Sequence, residues 1–258
     1  MSFIITEIEN AVLKIKLNRP DKFNSFNREM ALQLQDALKK AANDKAIRAI
    51  YLTAEGKAFC AGQDLAEAVD PQGPGIKKIV EEHYNPIVKL IRSIEKPIVC
   101  GVNGVAAGAG ANIALACDIV IANESASFIQ AFSKIGLIPD SGGTFFLPRL
   151  VGFQRASALM MLGDKLTAQE AYTFGMLYKV VGSAELDLEG MQLANTLADM
   201  PTIGIGLTKR LLNESMTNSY DQQLKREGEL QVEAASTYDH KEGVQAFLEK
   251  RKPVFKGE

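Results

Sequence analysis

One carboxylate stands out by its surroundings. Asp140 sits in Ile135-Gly-Leu-Ile-Pro-Asp-Ser-Gly-Gly143, an apolar, glycine-rich stretch with no second charge. Such a setting disfavours the ionised form, so its pKa is expected to rise toward that of a general base. A helix N-cap would use the same residue type. Two further segments are built from small residues. Lys57-Ala-Phe-Cys-Ala-Gly-Gln-Asp-Leu65 follows a strand pattern, and its glycine permits close backbone approach. A tight turn between strand and helix accounts for it equally well. Gly101-Val-Asn-Gly-Val-Ala-Ala-Gly-Ala-Gly-Ala-Asn112 runs from a strand into a helix. It would expose unpaired N–H groups, which suit developing negative charge. Close helix–strand packing needs the same small residues. Phosphate binding is the rival chemistry, but no GxxxxGK[ST] is present and Ile113 stands where the third glycine of GxGxxG would fall. Ser141 lacks a histidine partner and a GxSxG elbow, so it does not read as a nucleophile. Cys60, Cys100 and Cys117 show no CxxC spacing, and His83 and His240 form no HExxH, which argues against a zinc site or a disulfide framework.

The elements that must hold these segments alternate in the first half. Strand patterns cover 3–8, 11–17, 47–53, 98–102 and 118–122. Helical spacing covers 27–43, through Met30, Leu32, Leu34, Leu38 and Ala42, then 76–94 as one long helix, and 109–117. Asp70-Pro-Gln-Gly-Pro-Gly75 reads as a surface loop. Beyond about residue 143 the chain reads as helices over 153–162, 168–174, 186–200, 202–215, 219–236 and 241–250, with one strand at 176–181. This order predicts an α/β layered fold with a parallel sheet and a mostly helical tail. The cysteines are expected to be small buried hydrophobes, His83 a surface residue, and His240 a residue near a helix start.

Composition narrows the function classes. The 258 residues are 47% hydrophobic and 23% charged, enough for a sizeable core. Lys plus Arg number 29 against 31 for Asp plus Glu, a balance that speaks against a general nucleic-acid binder. The first ten residues lack the basic region and cleavage site of a signal peptide, and no stretch approaches the ~18 apolar residues of a membrane helix. A cytoplasmic protein with no membrane partner is expected.

Five segments, Leu17-Asn-Arg-Pro20, AFCAGQDL, VNGVAAGAGANIALACD, GLIPDSGG and Ala246-Phe-Leu-Glu-Lys-Arg-Lys252, resemble the crotonase (enoyl-CoA hydratase/isomerase) superfamily in order and spacing over the whole chain. The resemblance implies a crotonase-type β/α spiral core over 1–195, carrying the CoA and oxyanion-hole site. It implies a helical C-terminal trimerisation region over 196–258, in a homotrimer or a hexamer formed as a dimer of trimers. The substrate would be an acyl-CoA thioester, with no separate cofactor because coenzyme A belongs to the substrate, and no metal.

By position, the resemblance makes Gln63 N–H and Ala109 N–H the donors to a thioester enolate oxygen. Family hydratases use two glutamates to activate water; here those positions hold Asn112 and Phe132, neither of which is a base near neutral pH. Asp140 aligns instead with the aspartate of isomerase branches, including the ring-epoxide phenylacetyl-CoA isomerases. Phe132 would line the substrate site and keep it dry. For CoA, the resemblance implicates Lys22 and Phe23, the stretch Ala61, Gln63, Asp64 and Leu65, and Phe247 with Lys250, often from a neighbouring subunit. Asp64 also reads as a helix cap, and Phe247 and Lys250 as the inner and outer faces of an ordinary amphipathic helix. The resulting expectation is an acyl-CoA isomerase using Asp140 to shift a double bond or to convert ring-1,2-epoxyphenylacetyl-CoA to its oxepin. The alternatives are an enoyl-CoA hydratase, a non-catalytic crotonase-fold binding protein, and a thioesterase or decarboxylase.

Overall fold

The computed structural model describes residues 2–258. Its strands are β1 (Ile4–Glu9), β2 (Val12–Leu17), β3 (Ala49–Ala54), β4 (Ala58–Cys60), β5 (Ile98–Val102), β6 (Val105–Ala107), β7 (Ile119–Asn123), β8 (Ser127–Ile129), β9 (Lys165–Thr167) and β10 (Lys179–Val181). Its helices are α1 (Arg28–Asn43), α2 (Leu65–Val69), α3 (Gly75–Lys78), α4 (Asn85–Ser93), α5 (Ala109–Leu115), α6 (Gly143–Val151), α7 (Phe153–Leu162), α8 (Ala168–Thr173), α9 (Leu186–Ala198), α10 (Thr202–Glu214), α11 (Tyr220–Ala235) and α12 (Tyr238–Glu249). No helix is long and apolar enough to cross a membrane among the described residues.

Two sheets organise these elements. The larger has the order β1-β2-β3-β5-β7-β10, and the smaller β4-β6-β8-β9. β2, β3, β5, β7 and β10 run parallel, as do β4, β6 and β8. The chain therefore winds: β3 then β4, β5 then β6, β7 then β8, each turn adding one strand to each sheet. Because β4, β6 and β8 point the same way, their C-terminal ends share one edge of the small sheet. β3 and β5 are buried almost throughout, as strands covered on both faces require, which explains their continuous apolar runs.

The main core lies on one face of the large sheet, against α1, α4 and the helices of the spiral. α1 is capped by Asn27, whose side chain accepts the Met30 N–H at 2.9 Å. It turns Met30, Leu34 and Leu38 inward, one helical turn apart, and leaves Leu32 and Ala42 outside. On the opposite face, Met191, Ala194 and Ala198 of α9 pack on Val12, Ala49, Tyr51 and Val99. The 195/196 boundary falls inside α9, and α10–α12 follow it as a helical region. α10 is tied to the spiral by Asp118, whose carboxylate meets Lys209 at 2.7 Å and Arg92 at 3.0 Å.

Several elements differ from the sequence expectation. The helix expected over 76–94 is three pieces: α3, a π-helical turn at Ile79–Tyr84, and α4, which opens with Pro86 near its start. The extra residue in the π turn rotates the face, so His83 is fully buried instead of lying on the surface. Its Nε2 stands 3.4 Å from the Arg28 guanidinium, and burial lowers its pKa. The three cysteines are buried and free, as expected. The strand at 176–181 shortens to β10, and α6 arises where no helix was expected.

Candidate active site

The shared edge of the small sheet carries the site. Just past β4, Gly62 adopts a φ of +93°, and a Cβ there would meet the Ala107 carbonyl oxygen at 3.1 Å and Ala109 N at 3.7 Å. The two connections, after β4 and after β6, are thus in contact. The Gly62 carbonyl accepts the Phe26 N–H at 2.7 Å, and the Asp64 N–H donates to the Phe26 carbonyl at 2.8 Å. These two bonds bracket Gln63. A trans peptide points its N–H opposite its carbonyl, so the N–H of Gln63 faces away from Phe26. After β6, Gly108 (φ +53°) leads into α5, and Ala109 is the first helical residue. First-turn N–H groups have no partner within a helix. Among the described residues, neither the Gln63 nor the Ala109 N–H donates a hydrogen bond, and both residues line one cavity of about 240 Å³.

The walls of that cavity are mostly apolar, with Leu65, Ile79, Val80, Phe132 and Leu137 among them and Lys134 beside them, and Asp140 enters from the third turn of the spiral. Its carboxylate does not cap a helix. α6 starts at Gly143 without any side-chain cap bond, so the helix-cap alternative fails. Burial raises the pKa of Asp140, and the Ser141 hydroxyl, donating to Oδ1 at 2.8 Å, partly opposes the rise. Ser141 thus serves the carboxylate and is not poised as a nucleophile.

The two positions that could have held water-activating glutamates are otherwise engaged. Asn112 is buried; its Nδ2 donates to the Asp140 carbonyl at 2.9 Å and its Oδ1 accepts from Gln130 Nε2 at 2.8 Å. It packs so closely on Gly143 that a Cβ at 143 would lie 2.3 Å from Nδ2. Phe132 is buried, its ring 3.6 Å from where a Gly108 Cβ would stand. The small residues also serve packing: a Cβ on Gly110 would meet the Cys60 carbonyl oxygen at 2.5 Å. The segment therefore serves close packing at Gly110 and leaves the Ala109 N–H without a partner. Cys60 itself is fully buried, and burial pushes its thiol up to about 12.

Of the sequence-derived site residues, Ala61, Gln63, Leu65, Ala109, Phe132 and Asp140 come together around this cavity. Asp64 does not line it. Asp64 caps α2 by accepting the Ala66 N–H at 3.0 Å and pairs with Arg19 at 2.7 Å. Burial would raise its pKa, but the guanidinium and the N–H hold it below the usual carboxylate value. Lys22 and Phe23 lie exposed in a turn beside the site; the Phe23 carbonyl accepts the Ala61 N–H at 3.0 Å. Phe247 and Lys250 are elsewhere in the chain fold. Phe247, on α12, is 83% exposed, which corrects the inward-facing alternative, and it borders a separate cavity of about 430 Å³ among α10, α11 and α12.

Sequence reasoning passed over Tyr84. It closes the π turn, is almost fully buried, lines the cavity and donates its hydroxyl proton to Gln63 Oε1 at 2.8 Å. Burial raises its pKa well above the ordinary value. Pro86 was the available signal, because a proline two residues on marks a break where periodicity alone reads one helix.

Known proteins resemble this chain along almost its whole length. Residues 7–258 match the family model described as enoyl-CoA hydratase/isomerase. The chain is 49% identical over 260 residues to 1,2-epoxyphenylacetyl-CoA isomerase from Escherichia coli K12, covering 100% of this chain and 99% of that one. It is 35% identical to trans-2-decenoyl-[acyl-carrier-protein] isomerase from Streptococcus mutans, covering 98% of each. Among solved structures, an enoyl-CoA hydratase from Bacillus anthracis superposes with a TM-score of 0.93 at 33% identity, covering 99% of this chain and 100% of that one. A spiral of paired strands with a helical C-terminal region, matched along almost its full length, makes this chain a member of the enoyl-CoA hydratase/isomerase family with the crotonase fold.

Proposed function

We propose that the protein is an acyl-CoA isomerase working through a thioester enolate, with Asp140 as the single acid/base. The observation that carries this is the pairing in one mostly apolar cavity of two unpartnered N–H groups with one carboxylate of raised pKa. With a 3-enoyl-CoA, the Asp140 carboxylate takes the proton from the α-carbon. The electron pair moves onto the thioester oxygen, where Gln63 N–H and Ala109 N–H would meet the charge, each donor contributing roughly 3–4 kcal/mol in comparable sites. The same proton is returned at the γ-carbon, and the double bond then lies between the α- and β-carbons. No water enters the balance, which fits an amide at 112 and an aromatic ring at 132. A ring-1,2-epoxyphenylacetyl-CoA is the second candidate substrate, supported by the name of the relative at 49% identity; its product would be the oxepin.

Coenzyme A would lie over the backbone of Lys22 and Phe23 and the stretch from Ala61 to Leu65. Phe247 and Lys250 would reach it from a neighbouring copy in a trimer or a dimer of trimers, with the lysine facing a phosphate. A hydratase is the second reading, favoured by the likeness to the B. anthracis enoyl-CoA hydratase. A paired assay of wild type and Asp140→Asn with a 3-enoyl-CoA and a 2-enoyl-CoA separates them. Migration in the wild type that falls at least about 1,000-fold in the variant, with little water addition in either, is the expected result. Strong hydration by the wild type would overturn the isomerase reading.

A further inference from the structure

Tyr84 is buried against the cavity, and the enolate chemistry above gives it no task. Its ring packs edge-on against Phe26, with centroids 5.9 Å apart. Its hydroxyl donates to Gln63 Oε1 at 2.8 Å. The orientation of that amide follows from its other end: Nε2 faces a Glu67 carboxylate oxygen at 3.0 Å and the Asp64 carbonyl at 3.3 Å, which leaves Oε1 as the acceptor. Glu67 in turn accepts the Arg28 N–H at 2.9 and 3.1 Å, at the first residue of α1. The Gln63 side chain is therefore held from two sides.

That restraint acts on the residue that carries one of the two unpartnered N–H groups. The Gln63 N–H belongs to a peptide unit whose other flank is Gly62, a residue at φ +93° with no side chain to fix it. Phe26 holds the carbonyl of this unit at 2.7 Å and the following Asp64 N–H at 2.8 Å, and the anchored side chain adds a third hold, at the Gln63 Cα. The π turn supplies the anchor. Gln35 Nε2 donates to the carbonyls of Glu82 at 2.7 Å and His83 at 3.2 Å, fastening the turn that aims Tyr84 inward.

The geometry points to Tyr84 as a positioning residue for the oxyanion hole: through its hydrogen bond to the Gln63 side chain, it keeps the Gln63 N–H in register with that of Ala109. The inference rests on the enolate reading. Tyr84→Phe tests it while keeping the ring and its contact with Phe26. Two readouts are needed: turnover of a 3-enoyl-CoA, and the red shift of cinnamoyl-CoA on binding, which reports polarisation of the thioester carbonyl in a ligand with no γ-hydrogen and so no double bond to migrate. The variant is expected to lose about 10- to 100-fold in kcat with KM within about twofold, and to show a smaller red shift. In a Gln63→Met background, where the anchor is already gone, Tyr84→Phe should add almost nothing. An unchanged red shift, or the same loss in both backgrounds, overturns the proposal. A wild type that polarises cinnamoyl-CoA but isomerises neither a 3-enoyl-CoA nor a ring-1,2-epoxyphenylacetyl-CoA overturns the isomerase reading alone, and the two red shifts still decide the role of Tyr84. A wild type with no red shift overturns both.

Discussion

At the scale of single residues, the proposed chemistry reduces to the proton on Asp140. Burial raises the pKa of the group, while the Ser141 hydroxyl and the residue's own backbone N–H lower it. The base is the ionised form, so activity falls as pH drops through the pKa of this group. Because burial prevails, the acid limb of kcat/KM is expected above the ordinary carboxylate value near 3.8. Ser141→Ala removes one opposing donor, which should move that limb to higher pH; a profile from about pH 4 to 8 reads it. A limb that moves down would show that the hydroxyl does not stabilise the carboxylate. The sequence made Asp140 conspicuous because its neighbours are apolar and uncharged. It could not reveal the work of Asn112, since nothing in a one-dimensional pattern ties position 112 to the carbonyl of residue 140.

At the scale of elements, the site exists because β4, β6 and β8 end at the same edge. Each connection contributes one thing: a free N–H at Gln63, a free N–H at Ala109, and the carboxylate. Gly62 is the point where the first two connections touch. Gly62→Ala must place a side chain at φ +93° with its Cβ 3.1 Å from the Ala107 oxygen. The strain is of order 1–3 kcal/mol, relieved by moving the Gln63 peptide. The expected result is a folded protein with a lower thermal midpoint and at least about a 100-fold loss of turnover. Near-normal turnover would mean that the contact is slack. The long strands β2, β3, β5 and β7 were legible as apolar runs. β4, β6, β8 and β9 were not, because three residues are too few to show a period. α6 was hidden by its glycine start and by Pro148 within it. The π turn kept the look of a helix while shifting its inner face by one position, which is why His83 and Tyr84 were misplaced or missed.

At the scale of the whole molecule, the C-terminal helices leave large apolar side chains outside. Val232, Phe247 and Leu248 are each at least 70% exposed. Phe247 and Leu248 border the same cavity, and adjoining exposed apolar groups mark contact surfaces. Sedimentation is expected to find three or six chains together. Phe247→Asp should leave the isolated fold within about 0.5 kcal/mol, since the side chain touches water there. It should weaken the assembly and raise the KM for an acyl-CoA. A fully active wild-type monomer would contradict this account. The tail is anchored without help from a neighbour: the buried Asp239 carboxylate accepts the N–H groups of Lys256 at 2.6 Å and Gly257 at 2.8 Å.

The groups proposed to hold the enolate oxygen are main-chain amides, and that has a consequence for descent. A side-chain exchange cannot delete an N–H; only proline can. Mutation can therefore rewrite positions 112, 132 and 140 in succession while the means of holding a negative oxygen persists. Such a scaffold can drift between adding water, moving a double bond and opening a ring without ever passing through a form that has lost its electrophilic half.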